Sequence, residues 1–263
     1  MDNAVLFEDL TETTGTPISR EGAEMMYTRY QLAAEWAAGR RVLELGCGSG
    51  QGFGLIASQA GRLVGGDFSL ALLRSGKRHY GNRVPLLRLS ADTLPFTPGS
   101  FDLVLCFESS YYVPDMARGF REMARVLAPG GILFFVNANP QRPDFIKSPH
   151  SVHYHTADEF RDVLRAQGLD VAVEGLFPVA AGRATPSFAS RALSVARRLL
   201  EAIGLIPRTL RGRARLKRLV YGKLTELPAQ LPPGFATSAP RFPVERGPVP
   251  GYKVLYIRAT KLR

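Results

Sequence analysis

The stretch Val42–Gly54, VLELGCGSGQGFG, places Gly46, Gly48, Gly50, Gly52 and Gly54 at alternate positions directly behind a short apolar run. Glycine enters left-handed backbone at little cost and lets another group approach the main chain closely. Strand-forming residues precede the loop, and Phe53–Gln59 opens a helix. The stretch therefore reads as a strand-to-helix turn that presents backbone N–H groups to a ligand. Such a turn belongs to folds in which helices cross over between parallel strands.

The rest of the chain keeps that alternation. Residues 20–38 form a helix with Met26, Tyr30, Ala33, Ala34 and Ala37 at helical spacing. Strands are expected at Arg41–Leu45, Arg62–Asp67, Val84–Leu89, Phe101–Phe107, Ile132–Asn137, Asp170–Leu176 and Tyr252–Lys261. Helices fall between them at Ser69–His79 and Met116–Leu127, the second stopped by Pro129-Gly130-Gly131, and Thr156 caps another with Glu159 at the capping-box position. This order implies an α/β, doubly wound, mostly parallel sheet covered by helices on both faces.

Charge divides the chain unevenly. From Gly182 to Arg263 there are 17 Lys/Arg and 3 Asp/Glu, whereas the preceding residues carry 17 and 20. Residues 187–227 read as two basic amphipathic helices and 228–251 as a Pro/Gly-rich linker. The expected organisation is an N-terminal helical lid over 1–38, a ligand-binding core over 39–177, a basic helical insertion with its linker over 178–251, and the last core strand over 252–263. No apolar run reaches the ~18 residues of a membrane span, and MDNAVLFEDL lacks the order of a signal peptide. Two cysteines, Cys47 and Cys106, fit a reducing compartment. A cytoplasmic protein is expected.

The glycine loop does not fit a dinucleotide fingerprint. After Gly46-x-Gly48 the third position holds Gln51, and after Gly48-x-Gly50 it holds Phe53. Glu44 stands beside the loop, where a carboxylate repels a pyrophosphate but suits an amine. Asp67 follows at about the ~20-residue distance of an acid that accepts ribose hydroxyls. Asp92, in Ser90-Ala91-Asp92, is placed to accept from an adenine amine. Three acids meeting an amine, a diol and an aryl amine describe S-adenosylmethionine.

The blocks VLELGCGSG, VGGDFS, LSADTLPFTPGSFDLVLCFES and FREMARVLAPGGILFF stand in order between residues 41 and 137. In them the chain resembles the class I S-adenosylmethionine-dependent methyltransferases of the type 11 subgroup. That resemblance implies a Rossmann-like, seven-stranded sheet with an antiparallel last strand. It assigns Glu44, Gly46, Gly48 and Gly50 to the methionine and ribose side of S-adenosyl-L-methionine, with Cys47 in the same loop. It matches Asp67 to the ribose acid, Phe68 to the residue beside adenine, and Ala91, Asp92 and Thr93 to the adenine contact. Phe107 and Glu108 match the segment under the donor sulfur. Tyr27 and Tyr30 are candidates for closing over the cofactor.

Methyl transfer to an alcohol or phenol calls for a group that takes the acceptor proton. His150, His153 and His155 cluster in SPHSVHYHT. His155 and His153, which alternate and share a face of an extended segment, are the catalytic candidates together with Glu108. Their spacing makes no metal set, and none is expected. Many relatives carry His where this chain has Tyr111-Tyr112, so no base is carried over to those positions, although a tyrosine hydroxyl can bind an acceptor. Asp102 reads as a structural anchor.

The expected reaction is O-methylation of a small-molecule acceptor, a saccharide or secondary metabolite. The alternative is a lipid-linked or quinone-like acceptor at a membrane surface, with residues 187–227 attracting anionic headgroups at the inner face. A third reading is a non-catalytic scaffold that keeps the cofactor fold. The basic run has little aromatic interleaving and matches no nucleic-acid recognition module.

Overall fold

The structure, a computed structural model, describes residues 13–179 and 224–262. An eight-stranded sheet runs in the order β4-β3-β2-β5-β6-β10-β7-β9. Its strands are β2 (Arg41–Leu45), β3 (Arg62–Asp67), β4 (Leu86–Arg88), β5 (Phe101–Phe107), β6 (Leu127–Ala138), β7 (Leu169–Pro178), β9 (Phe242–Pro243) and β10 (Tyr252–Lys261). The helices are α1 (Arg20–Ala37), α2 (Phe53–Ala57), α3 (Leu70–Tyr80), α4 (Met116–Val126) and α5 (Ala157–Arg165). Strands β4, β3, β2, β5 and β6 pair in parallel, and β10 lies antiparallel between β6 and β7. The expected seven strands are all present, and the two-residue β9 adds an eighth at the edge.

Strand β5 shows how the core is divided. Leu103, Leu105 and Phe107 point into one apolar layer with α1, Phe53, Tyr80 and Tyr256. Val104 and Cys106 point into the other, with Phe120, Met123, Phe135 and Phe160. Alternation by two thus serves two buried faces, and the strand reads as one apolar run. The caps fall where expected: the Ser19 hydroxyl accepts from Gly22 N at 3.1 Å, and Thr156 with Glu159 completes a capping box.

Three local expectations are corrected. Helix α4 ends at Val126, and Pro129-Gly130-Gly131 lies inside β6, where the pairing with β5 shifts register between Phe101 and Leu103. The strand expected over Val84–Leu89 shortens to Leu86–Arg88. Leu224–Leu227 is not helical: Thr225–Glu226 (β8) pairs antiparallel with Pro17–Ile18 (β1). The remainder of the basic segment, 187–223, lies outside the described residues.

Residues 227–239 strap the chain's first helix to the glycine loop. Leu227 and Leu231 are buried. Leu231 N donates to Gln51 O at 2.7 Å, Gly234 N to the Tyr27 hydroxyl at 2.7 Å, and Ala239 N to Thr28 Oγ1 at 3.0 Å. Asp102 acts within the sheet as an anchor, its carboxylate accepting from the Arg41 guanidinium at 2.7 and 3.0 Å and from Arg41 N at 3.0 Å.

Candidate functional site

Strand order reverses between β2 and β5, so the tips of these strands diverge into separate crossovers. Open α/β sheets bind ligands at that point. A cavity of about 660 Å³ opens there, within the usual range for small-ligand sites. Its walls come from the glycine loop (Gly46, Cys47, Gly48, Gln51), the β3 tip (Asp67, Phe68), the turn after β4 (Leu89, Ser90, Ala91), the β5 tip (Phe107, Glu108, Ser109) and α1 (Met26, Arg29, Tyr30). Tyr111, Tyr112, Val113, Pro114, His150 and Val152 close the remaining side.

Glu44 lies on the central strand and is fully buried. Its Oε1 accepts from the Tyr30 hydroxyl at 2.7 Å, while Oε2 has no hydrogen-bond partner. A buried acceptor left open is costly unless a ligand donates to it. Burial pushes the Glu44 carboxyl up to about 8, against the Tyr30 hydrogen bond and the nearby Arg29 charge, which lower it. Asp67 caps the loop: Oδ2 accepts from Gly48 N at 2.8 Å and Oδ1 from Ser69 N at 2.8 Å. Each carboxylate oxygen has a second lone pair, so a diol can bind the same group. Burial raises the Asp67 pKa. Phe68, 45% exposed, offers a ring face, with the Arg88 guanidinium 5.3 Å from its centroid and Arg88 Nε donating to Phe68 O at 3.1 Å.

These features fit S-adenosylmethionine. Asp67 would take its ribose diol and Phe68 its adenine face, Glu44 would place a carboxyl beneath the loop on the ammonium side, and Arg29 would supply positive charge for the ligand carboxylate. The group brings an electrophilic methyl on a sulfonium.

The glycines answer mostly to the protein's own side chains. A Cβ on Gly46, which sits at φ +67°, would overlap the Ser109 side chain from the β5 tip. At Gly52 it would overlap the Tyr30 ring, and at Gly54 Gln230 of the strap. Close approach therefore assembles the cavity walls around the loop.

The expected site residues separate into two sets. Gly46, Cys47, Gly48, Asp67, Phe68, Ala91, Phe107 and Glu108 line the cavity. Glu44 stands behind the loop, tied to α1 through Tyr30, and Gly50 turns at φ +80° with Phe53 and Tyr80 packed against it. Asp92 and Thr93 are not among the lining residues; Thr93 N closes a turn on Ser90 O at 3.1 Å, and Ser90 and Ala91 present that turn to the cavity. His153 and His155 are also outside the lining. His153 pairs with Glu159 at 3.2 Å on the surface. His155 packs against Phe120 and Phe160, and burial drives its pKa down to about 4. The cluster's third member, His150, is the one in the cavity. Tyr27 bonds to the strap and Tyr30 to Glu44, so α1 closes the site through Tyr30.

Glu108 is half-buried in the wall with a positive φ of 48°. Its Oε2 accepts from the Tyr111 hydroxyl at 2.9 Å and Ala138 N at 3.2 Å, and burial raises its pKa. Met26, read from the sequence only as part of a helix face, and Arg29, not named there, also line the cavity; the i, i+4 relation of Met26 to Tyr30 was the available signal. No group of His, Cys, Asp and Glu able to hold a metal occurs among the described residues. No helix among them is long and apolar enough to cross a membrane.

Residues 43–135 match the family model described as a methyltransferase domain. Over 148 residues the chain is 34% identical to a Mycolicibacterium smegmatis protein named "Probable S-adenosylmethionine-dependent methyltransferase", covering 54% of this chain and 56% of that one. Over 135 residues it is 32% identical to a demethylmenaquinone methyltransferase of Corynebacterium urealyticum, covering 51% and 57%. The chain thus spans about half the length of the curated relatives it matches. Among solved structures, the [4+2]-cyclase SpnF superposes with a TM-score of 0.60 at 18% identity, over 99% of this chain and 93% of that one, which is a likeness of fold.

Proposed function

With residues 43–135 a methyltransferase domain of the class I S-adenosylmethionine-dependent type, we propose that the chain methylates a hydroxyl oxygen of a small-molecule acceptor. One observation carries this reading: a single cavity joins the cofactor-side groups to a wall of hydroxyl and carboxyl groups, Tyr111, Tyr112 and Glu108. Arg29 and Tyr30 shut the cofactor side, Asp67 holds the loop, and Glu108 with the tyrosines offers hydrogen bonds that orient an acceptor oxygen. A saccharide or secondary-metabolite hydroxyl suits that wall.

Calorimetric titration with S-adenosylmethionine and S-adenosylhomocysteine tests the cofactor. Binding of both is expected, and binding of neither rejects the enzyme reading in favour of a scaffold. Incubation with methyl-labelled donor and a panel of sugars, phenols and quinols then tests the acceptor; label stable on oxygen is expected.

A second reading takes a quinone-like or lipid-linked acceptor at an anionic membrane surface. Phe68 and Val152, which line the cavity, are 45% and 52% exposed, so its rim is apolar. The relatives named demethylmenaquinone methyltransferases point the same way. Under this reading each Lys or Arg of the basic stretch 187–223 that lies near anionic lipid adds about 1 kcal/mol. Salt-sensitive sedimentation with anionic vesicles, and none with neutral ones, is its expected mark.

A further inference from the structure

Three non-glycine residues among those described have positive φ: Glu108, His150 and Phe177. Two of the three line the same cavity. Left-handed backbone is costly for such residues and persists where surrounding contacts impose it, often at functional sites. Glu108 is explained by its bonds to Tyr111 and Ala138. His150 makes no hydrogen bond or ion pair through its ring among the described residues, yet its backbone is held at φ +63°.

The restraint comes from both sides. Ser148 O accepts from Ser151 N at 3.3 Å and from the Ser151 hydroxyl at 2.6 Å, and the Tyr112 and Ser148 hydroxyls lie 2.6 Å apart. Val152 N donates to Tyr111 O at 2.7 Å. Residues 148–152 are thereby fastened to the Ser110–Tyr112 turn, and His150 is carried on that loop in the cavity wall.

We propose that His150 is the group that takes the acceptor's proton. This rests on the methyl-transfer reading above. The acceptor oxygen forms its bond to the methyl carbon, and the methyl–sulfur bond breaks with its pair passing to sulfur. The O–H pair stays on oxygen while the proton passes to the His150 imidazole, which then carries the positive charge the sulfonium has lost. The other cavity groups already hold bonds within the wall, Glu108 to Tyr111 and Ala138, Asp67 to Gly48 and Ser69, and Tyr112 to Ser148, which leaves them lone pairs to orient a ligand. His153 and His155 face Glu159 and the Phe120–Phe160 layer instead.

The test requires no acceptor. The chain has four histidines, so NMR can follow every imidazole in the full-length protein, with His150→Asn assigning the signal; Asn suits left-handed backbone. Titrations are run with S-adenosylhomocysteine and with S-adenosylmethionine, which differ by one positive charge at sulfur. Arg29, Cys47, Asp67, Glu108, Tyr111 and Tyr112 share the cavity and Lys147 the loop; all are present in both titrations, so the difference isolates the sulfonium. A cation facing the ring perturbs it electrostatically, so the His150 ring signals are expected to differ between the two complexes at one fixed pH. His153 and His155 are expected to show no difference. If both compounds bind and His150 does not respond, or another histidine responds instead, the assignment falls while the cofactor reading stands. If neither compound binds, both fall.

Discussion

The Tyr30 hydroxyl on α1 donates a 2.7 Å hydrogen bond to Glu44 Oε1 on the central strand, joining the helix over the cavity to the acid beneath the glycine loop. That bond leaves Oε2 as the open acceptor. Replacing Tyr30 with Phe removes the hydrogen bond to Glu44 Oε1. The variant is expected to lose about 1–3 kcal/mol of stability, the cost of a buried acceptor left unmade, and to bind S-adenosylmethionine about tenfold more weakly. Urea unfolding and calorimetry read the two effects separately.

Glu44 also sets a pH dependence. Its carboxyl titrates near 8 in the folded chain and near 4.5 when unfolded. Between those values the native state holds a proton that the unfolded state has released. Glu44's contribution to stability is therefore greatest below pH 4.5 and is lost as pH rises towards 8. An ammonium ligand favours the carboxylate, so binding releases a proton in that window. Affinity for S-adenosylmethionine is expected to rise from pH 6 to pH 8, with heats that differ between phosphate and Tris at pH 7. Glu44→Gln should abolish that buffer difference.

The Gly46–Ser109 contact predicts a coupled pair. Gly46→Ala meets both a positive φ and the Ser109 side chain, and should destabilise by more than about 1 kcal/mol. Ser109→Gly in the same chain removes the overlap but leaves the φ cost, so the double variant should recover part of the loss. Additive losses in a double-mutant cycle would show that the two positions do not interact.

A separate acid limb is expected from α4. Arg125 donates to Glu122 at 2.7 Å and to the carbonyls of Leu94 and Phe96, while Leu94 N donates to Glu122. The Arg125 hydrogen bonds hold the Glu122 pKa down to about 2. Its stabilisation is present above pH 4.5 and is lost as pH falls towards 2. Arg125→Ala should flatten this acid limb in thermal melts and loosen the turn after β4, weakening adenosine binding several-fold.

The central strands were readable because burial on both faces makes them predominantly apolar: Arg41–Leu45, Arg62–Asp67 and Phe101–Phe107 keep their expected bounds. Asp67 could be placed at the cavity because its distance from the glycine loop fixes the strand tip it occupies, whereas Glu44 lies behind the loop, outside the lining. Leu224 and Leu227 misled, since i, i+3 leucines beside a basic run imitate a helix and the true partner, Pro17–Ile18, is two hundred residues away. The histidines misled differently. His153 and His155 do share a face, with ring centroids 4.5 Å apart, but which side that face takes depends on the bend at His150 and on the aromatic layer waiting at Phe120.

The strap over 227–239 has a consequence for anyone cutting this protein. The stretch that resembles known methyltransferases carries the loop and the strand tips, but not the helix that roofs them, and Tyr27 and Thr28 of that helix are fastened by residues 207 and 211 positions later. A fragment trimmed to 39–177 would discard Tyr30 along with its tether and leave Glu44 facing water. The pocket is a closed circuit of chain, completed only when α1 and residues 227–239 are both kept.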